Sequence, residues 1–134
     1  MPSSSYKDRE NMKIYVAGNK LLEQDSLPLR ILPLLRKHFP KIIFEELDPS
    51  ENLPSEELII IDTVIGIKDV KVFSDIDSFS SNKIYSPHDY DFLFELKLNK
   101  KLGKLKKFRI IGIPPDLDEK EAFEKVKVQL EKLI

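Results

Sequence analysis

Cysteine is absent from this chain of 134 residues, which removes disulfides, thiolate metal sites and cysteine nucleophiles together. Any metal site must therefore be built from His, Asp and Glu. No apolar run approaches the roughly 18 residues that a membrane-spanning helix needs. The opening MPSSSYKDREN is polar and has no apolar segment of the kind a secretory signal carries. The expectation is a cytoplasmic protein without a membrane partner. Neither sign of charge is in excess: 22 basic residues against 23 acidic ones give a formal net charge of -1. No field then draws the whole molecule toward nucleic acid, and no nucleic-acid partner is expected. The local basic cluster KLNKKLGKLKK, Lys97 to Lys107, reads as a solvated face. Several motifs are missing as well. VAGNKLLEQD lacks G-x-G-x-x-G and the Walker lysine, no G-x-S-x-G elbow surrounds Ser86 near His88, and no H-E-x-x-H helix exists.

What is present fits one compact domain, with 41% hydrophobic and 34% charged residues. Residues 1–11 read as a disordered tail or added segment, and residues 12–134 as a single α/β domain. KIYVAG is β-branched and aromatic and is broken by Gly18 and Asn19, so a first strand ends there in a tight turn. Ser26 is a candidate N-cap with Pro28 in the first turn. Leu27, Ile31, Leu34, Leu35 and His38 then share one helical face until Pro40. KIIFEEL, ELIIIDTV and DVKVF read as three further strands, the second of them apolar enough for the middle of a sheet covered on both sides. After a polar loop from Ser74 to Pro87, HDYDFLFELKLNKKL reads as a helix, FRIIGIPP as a last strand and DEKEAFEKVKVQLEKLI as an amphipathic helix with Ala122, Val126, Leu130 and Leu133 inward. Strands alternating with helices imply an α/β fold, a three-layer α/β/α sandwich with a mostly parallel, about five-stranded sheet.

In such sheets ligands bind beyond the carboxyl ends of the strands. The first strand runs out at Gly18 and Asn19 with Asp25 near the following helix, the third runs out at Asp62, and the loop after the fourth supplies His88. Two carboxylates and an imidazole on one sheet edge would suit a divalent transition metal such as nickel or zinc. Each residue also has a plainer reading. Asp25 can be a local cap beside Ser26, and His88 an exposed loop residue or helix cap. Asp62 has less room for one, because a carboxylate at the end of a buried strand needs a partner to offset its desolvation. His38, at the end of the first helix, suits the dipole there and is given no site role.

Taken in order, these stretches resemble the hydrogenase maturation peptidases, which trim the C-terminal extension from the large-subunit precursor of nickel-iron hydrogenases. VAGNKLLEQD is similar to the family's opening Gly-Asn, Leu and acidic-pair motif, IIIDTVIG to the strand ending in a second acid, SPHDYDFLFEL to its Ser-x-His segment, and IIGIPP to its final strand. The resemblance implies an aspartic-type endopeptidase of protein processing, with Asp25, Asp62 and His88 as metal ligands and Gly18, Asn19 and Thr63 as substrate-binding positions. The metal implied is nickel borne by the substrate, for which another divalent ion can substitute, and the partner is the hydrogenase precursor. Glu23 stays a solvated neighbour. Gln24 stands where an acid is common, Pro28 and Asp91 where glycine is usual, and Thr63 and Val64 where small residues are usual. Two rivals stay open, and the altered glycines favour the first. One is a non-catalytic binding or chaperone module of the same fold for a hydrogenase or other nickel protein. The other is a small nucleotide-binding or regulatory domain with Asp62 on a ribose or Mg²⁺.

Overall fold

The computed structural model describes residues 12–18, 21, 25–47, 57–74, 94, 96–103 and 107–133. Five strands form one sheet: β1 (Lys13–Val16), β2 (Ile43–Glu46), β3 (Glu57–Thr63), β4 (Lys71–Phe73) and β5 (Lys107–Ile113). Their order across the sheet is β2-β1-β3-β5-β4. All neighbours pair in parallel except β4, which runs antiparallel to β5 at one edge. The expected α/β sandwich is the fold observed.

The middle strand explains the layering. Along β3, Ile59 and Ile61 enter one apolar cluster, while Leu58 and Ile60 enter another on the opposite face. A strand with both faces buried reads as a continuous apolar run, as LIII does here. The first cluster is roofed by α1 (Leu27–Arg30), α2 (Leu32–His38) and the terminal helix α4 (Glu119–Leu133). The second is met by α3, the helical residues 96–101, through the fully buried Leu96. Among the described residues no helix is long and apolar enough to cross a membrane.

One expected helix is in fact two. Pro33 has no N–H to offer the carbonyl of Leu29 and its ring crowds that carbonyl, so the helix from Leu27 breaks at Ile31 and restarts at Leu32. The break re-aims the second half. Leu32 is buried, while Leu34, expected inside, is 41% exposed. Phe39 then leaves helical geometry, as a residue before proline tends to do. In α4 the expected spacing holds: Ala122, Val126 and Leu130 are buried and Leu133 packs partly against them. The lysines described in the basic cluster, Lys97, Lys100, Lys101 and Lys107, are exposed, as a solvated face requires.

Candidate functional site

The site sits where the sheet changes direction. From β1 the chain crosses through α1 and α2 to β2 on one side, and from β3 it proceeds to β4 and β5 on the other. The neighbouring carboxyl ends of β1 and β3 therefore flank a topological switch point, the usual crevice of an open α/β sheet. Register sets what meets there. Val16 pairs with Ile61, and the Ala17 N–H donates to the Ile61 carbonyl at 2.8 Å. Gly18 follows Ala17 just beyond β1, and Asp62 follows Ile61 within β3.

Asp62 is 1% exposed, and its Oδ1 accepts the N–H of Thr63 at 2.8 Å. That bond fixes the carboxylate to its own strand end and offsets part of its desolvation. Beyond it, the Val64 N–H donates to the Ile113 carbonyl at 2.9 Å and carries the β3–β5 pairing past the site. Asp62 is thus placed by sheet register.

Asp25 arrives by a different route. It has 3₁₀-helical geometry just before α1 and is 4% exposed. Gly18, with φ +157°, sits so close to it that an added Cβ would stand 2.7 Å from the Asp25 carbonyl oxygen and 3.4 Å from Leu29 Cγ. Only a residue without a side chain lets the end of β1 approach the start of α1 this closely. Glycine here is a packing requirement that also brings Asp25 to the strand-end edge.

Ser26 occupies the N-cap position of α1, yet its side chain makes no capping bond. Its hydroxyl instead accepts Arg30 Nε at 3.1 Å, while Arg30 Nη1 donates to Glu119 Oε2 at 3.0 Å. Arg30 thereby ties the segment carrying Asp25 to α4. The i,i+4 spacing of Ser26 and Arg30 was the available signal for half of this link; the Glu119 half spans 89 positions and leaves no local trace.

A second tie holds the turn after β3. Asp69 accepts Lys125 Nζ at 2.7 Å and the N–H of Val70 at 2.8 Å. The Lys125 bond, then that of Val70, keeps the Asp69 carboxyl below its ordinary value. Bonds to Asp69 and Glu121 raise the Lys125 ammonium above its own.

Of the expected ligands, Asp25 and Asp62 are both buried at the strand-end edge. His88 lies outside the described residues, as do Asn19, Glu23, Gln24, Asp91 and the tail 1–11. Among the described residues no group of three or more His, Asp or Glu is placed to hold a metal ion. Gly18 and Thr63 are described, Thr63 fully buried. A surface groove of about 670 Å³ between Arg30, Leu34, Leu117 and Phe123 includes neither Asp25 nor Asp62 and is not this site.

No family model matches the chain, and no curated protein does. Solved structures do. The solution structure of an endopeptidase from Escherichia coli matches with a TM-score of 0.61 at 21% identity, covering 91% of this chain and 94% of that one. The crystal structure of an uncharacterized protein from Wolinella succinogenes matches with a TM-score of 0.50 at 16% identity, covering 91% and 93%. At such identities the likeness establishes a shared fold over nearly the full length of each chain.

Proposed function

We propose that this chain is an endopeptidase that removes the C-terminal extension of a nickel-iron hydrogenase large-subunit precursor after nickel insertion. One observation carries the reading: two acids from separate segments, Asp25 and Asp62, are both buried at the edge where β1 and β3 end. The shared fold with the Escherichia coli endopeptidase supports a peptide substrate. The order of the sequence motifs supports the hydrogenase precursor in particular.

In this reading Asp25, Asp62 and His88 engage the nickel that the precursor already carries, so the metal belongs to the substrate. Oxygen and imidazole donors suit that ion, and the two carboxylates offset its charge. Engaged in this way, nickel positions the precursor and supplies Lewis acidity toward the scissile carbonyl or water. The chain's own groups bind and orient. The Asp62 carboxylate is preset by the Thr63 N–H, and Asp25 by the Gly18 contact. A precursor without nickel offers nothing for the acids to hold and is left uncut.

The test is incubation with purified nickel-loaded precursor, read by mass spectrometry, with nickel-free precursor alongside. Loss of a C-terminal peptide from the loaded form alone is the expected result. Asp62→Ala and His88→Ala should abolish it with little loss of fold stability. Binding without cleavage by the unaltered chain would establish a non-catalytic module instead. Loss of folding in both variants would sink the site assignment.

A further inference from the structure

Among the described residues, Thr63 Oγ1 is a buried side-chain polar atom left without a hydrogen-bond partner. Its residue is fully buried, and its own N–H is already used by Asp62. The hydroxyl is thus a desolvated donor and acceptor on the residue that follows Asp62. Alternation along β3 puts Thr63 on the face of Ile59 and Ile61, the face that α1 covers. Valine has nearly the same shape and would fill this position without an unpaired group. Buried polar groups in folded proteins are nearly always paired, so an orphan beside a site calls for a partner that arrives later.

We propose that the Thr63 hydroxyl is a substrate-binding group, forming a hydrogen bond with a main-chain amide group of the precursor segment that reaches Asp62. This rests on the peptidase reading above. The same alternation puts Asp62 on the opposite face of β3, while Asp25 lies just before α1, so a segment engaging both acids crosses the end of β3, where its main-chain groups lose water and need partners. A hydroxyl supplies either sense of bond, one donor and two acceptor lone pairs, and rotates to suit. The threonine exchanges some stability of the free protein for recognition of the bound segment.

Two variants test this, each measured by urea unfolding and by steady-state processing of nickel-loaded precursor. Thr63→Val is expected to be as stable as the unaltered chain or more so, yet to process with kcat/KM lower by about three- to tenfold, the worth of one hydrogen bond. Thr63→Ser, which keeps the hydroxyl, should restore processing toward the unaltered rate. A purely structural hydroxyl cannot give this opposed pair of changes. Thr63→Val that is clearly less stable would show the hydroxyl already bonded in the free protein, and would overturn the proposal. Active protein with Thr63→Val processing at the unaltered rate overturns it alone. Unaltered protein that neither cuts nor binds the precursor overturns the peptidase reading and this proposal with it.

Discussion

Replacing Gly18 by alanine should displace Asp25 while leaving its side chain unaltered. The new Cβ would stand 2.7 Å from the Asp25 carbonyl oxygen, with Leu29 Cγ at 3.4 Å and Cδ1 at 3.5 Å behind it. An ordinary carbon contact is about 3.5 Å or more, so the overlap is most of an ångström. Its partner is main chain, which cannot rotate away as a side chain can. The φ of +157° adds a conformation that side-chain-bearing residues seldom adopt. Overpacking and backbone strain of this kind each cost about 1–3 kcal/mol. Urea unfolding of Gly18→Ala should therefore show a loss of about that size, with an unchanged slope. Relief requires the start of α1 to back away from β1 and take Asp25 with it. A displacement near 1 Å in a positioned group can cost about a hundredfold in rate. Val126→Ala supplies the control. It removes two methyl groups from a fully buried position in α4, a loss of about 2 kcal/mol in total, at a residue that takes part in neither the Gly18 contact nor the Arg30 link. Assayed well below both unfolding midpoints, the Val126 variant should process precursor normally while the Gly18 variant does not. Gly18→Ala with unchanged stability and unchanged processing would refute the claim that this glycine positions Asp25.

Gly112→Ala should cost about 1–3 kcal/mol by overpacking, because its Cβ would lie 2.7 Å from Val64 Cγ2 and 2.9 Å from Phe73 Cε2. Combining it with Val64→Ala should cost less than the two singles summed, by about 0.5–3 kcal/mol; strict additivity would contradict the contact. Leu96, fully buried and the anchor of α3 in the second cluster, should cost about 2–5 kcal/mol as alanine, and hydrogen exchange should quicken in residues 96–101 beyond the global change. The Asp69 pair sets a small pH dependence. A carboxyl held below its ordinary value stabilises the fold above that value and ceases to as pH falls through its folded one, so the contribution fades below about pH 4. Lys125, raised, contributes fully below about pH 10 and fades as pH climbs through its folded value. Both groups are exposed, so Asp69→Asn or high salt should flatten a shallow acid-side slope in the urea midpoint. An unaltered slope would show the pair to be uncoupled from folding.

The sheet was legible because its strands are short apolar runs between turn residues, and β3 advertised its central place through Leu58, Ile59, Ile60 and Ile61. The split of the first helix was not read from periodicity, although Pro33 stood in plain view. A proline counts as harmless in a first turn, and only the start of a second helix at Leu32 makes Pro33 a first-turn residue. Asp62 was legible for an energetic reason: a carboxylate after four buried apolar residues must be compensated. The bond from Thr63 and the contact between Gly18 and Asp25 were not. Both depend on atoms brought together by register or by a crossing, and pattern along the chain carries no record of them.

Two mechanisms hold the acids, and they fail differently. Asp62 is set by the sheet, through the β1 and β5 pairings on either side of β3 and the N–H of the next residue. Moving it means disrupting the most buried strand, so truncating the apolar residues that lead to it, Leu58 to Ile61, should register first as lost stability. Asp25 is set by one close approach at Gly18 and by the Arg30 link from Ser26 to Glu119, a surface ion pair worth little alone. Its placement can therefore shift at modest cost to the fold. If a metal carried by a large partner must be gripped from two sides, one fixed acid and one adjustable acid allow the grip to close on it without reorganising the core. Substitutions near Gly18 should then act on the rate of processing more than on stability, and truncations of the apolar β3 residues Leu58 to Ile61 the reverse.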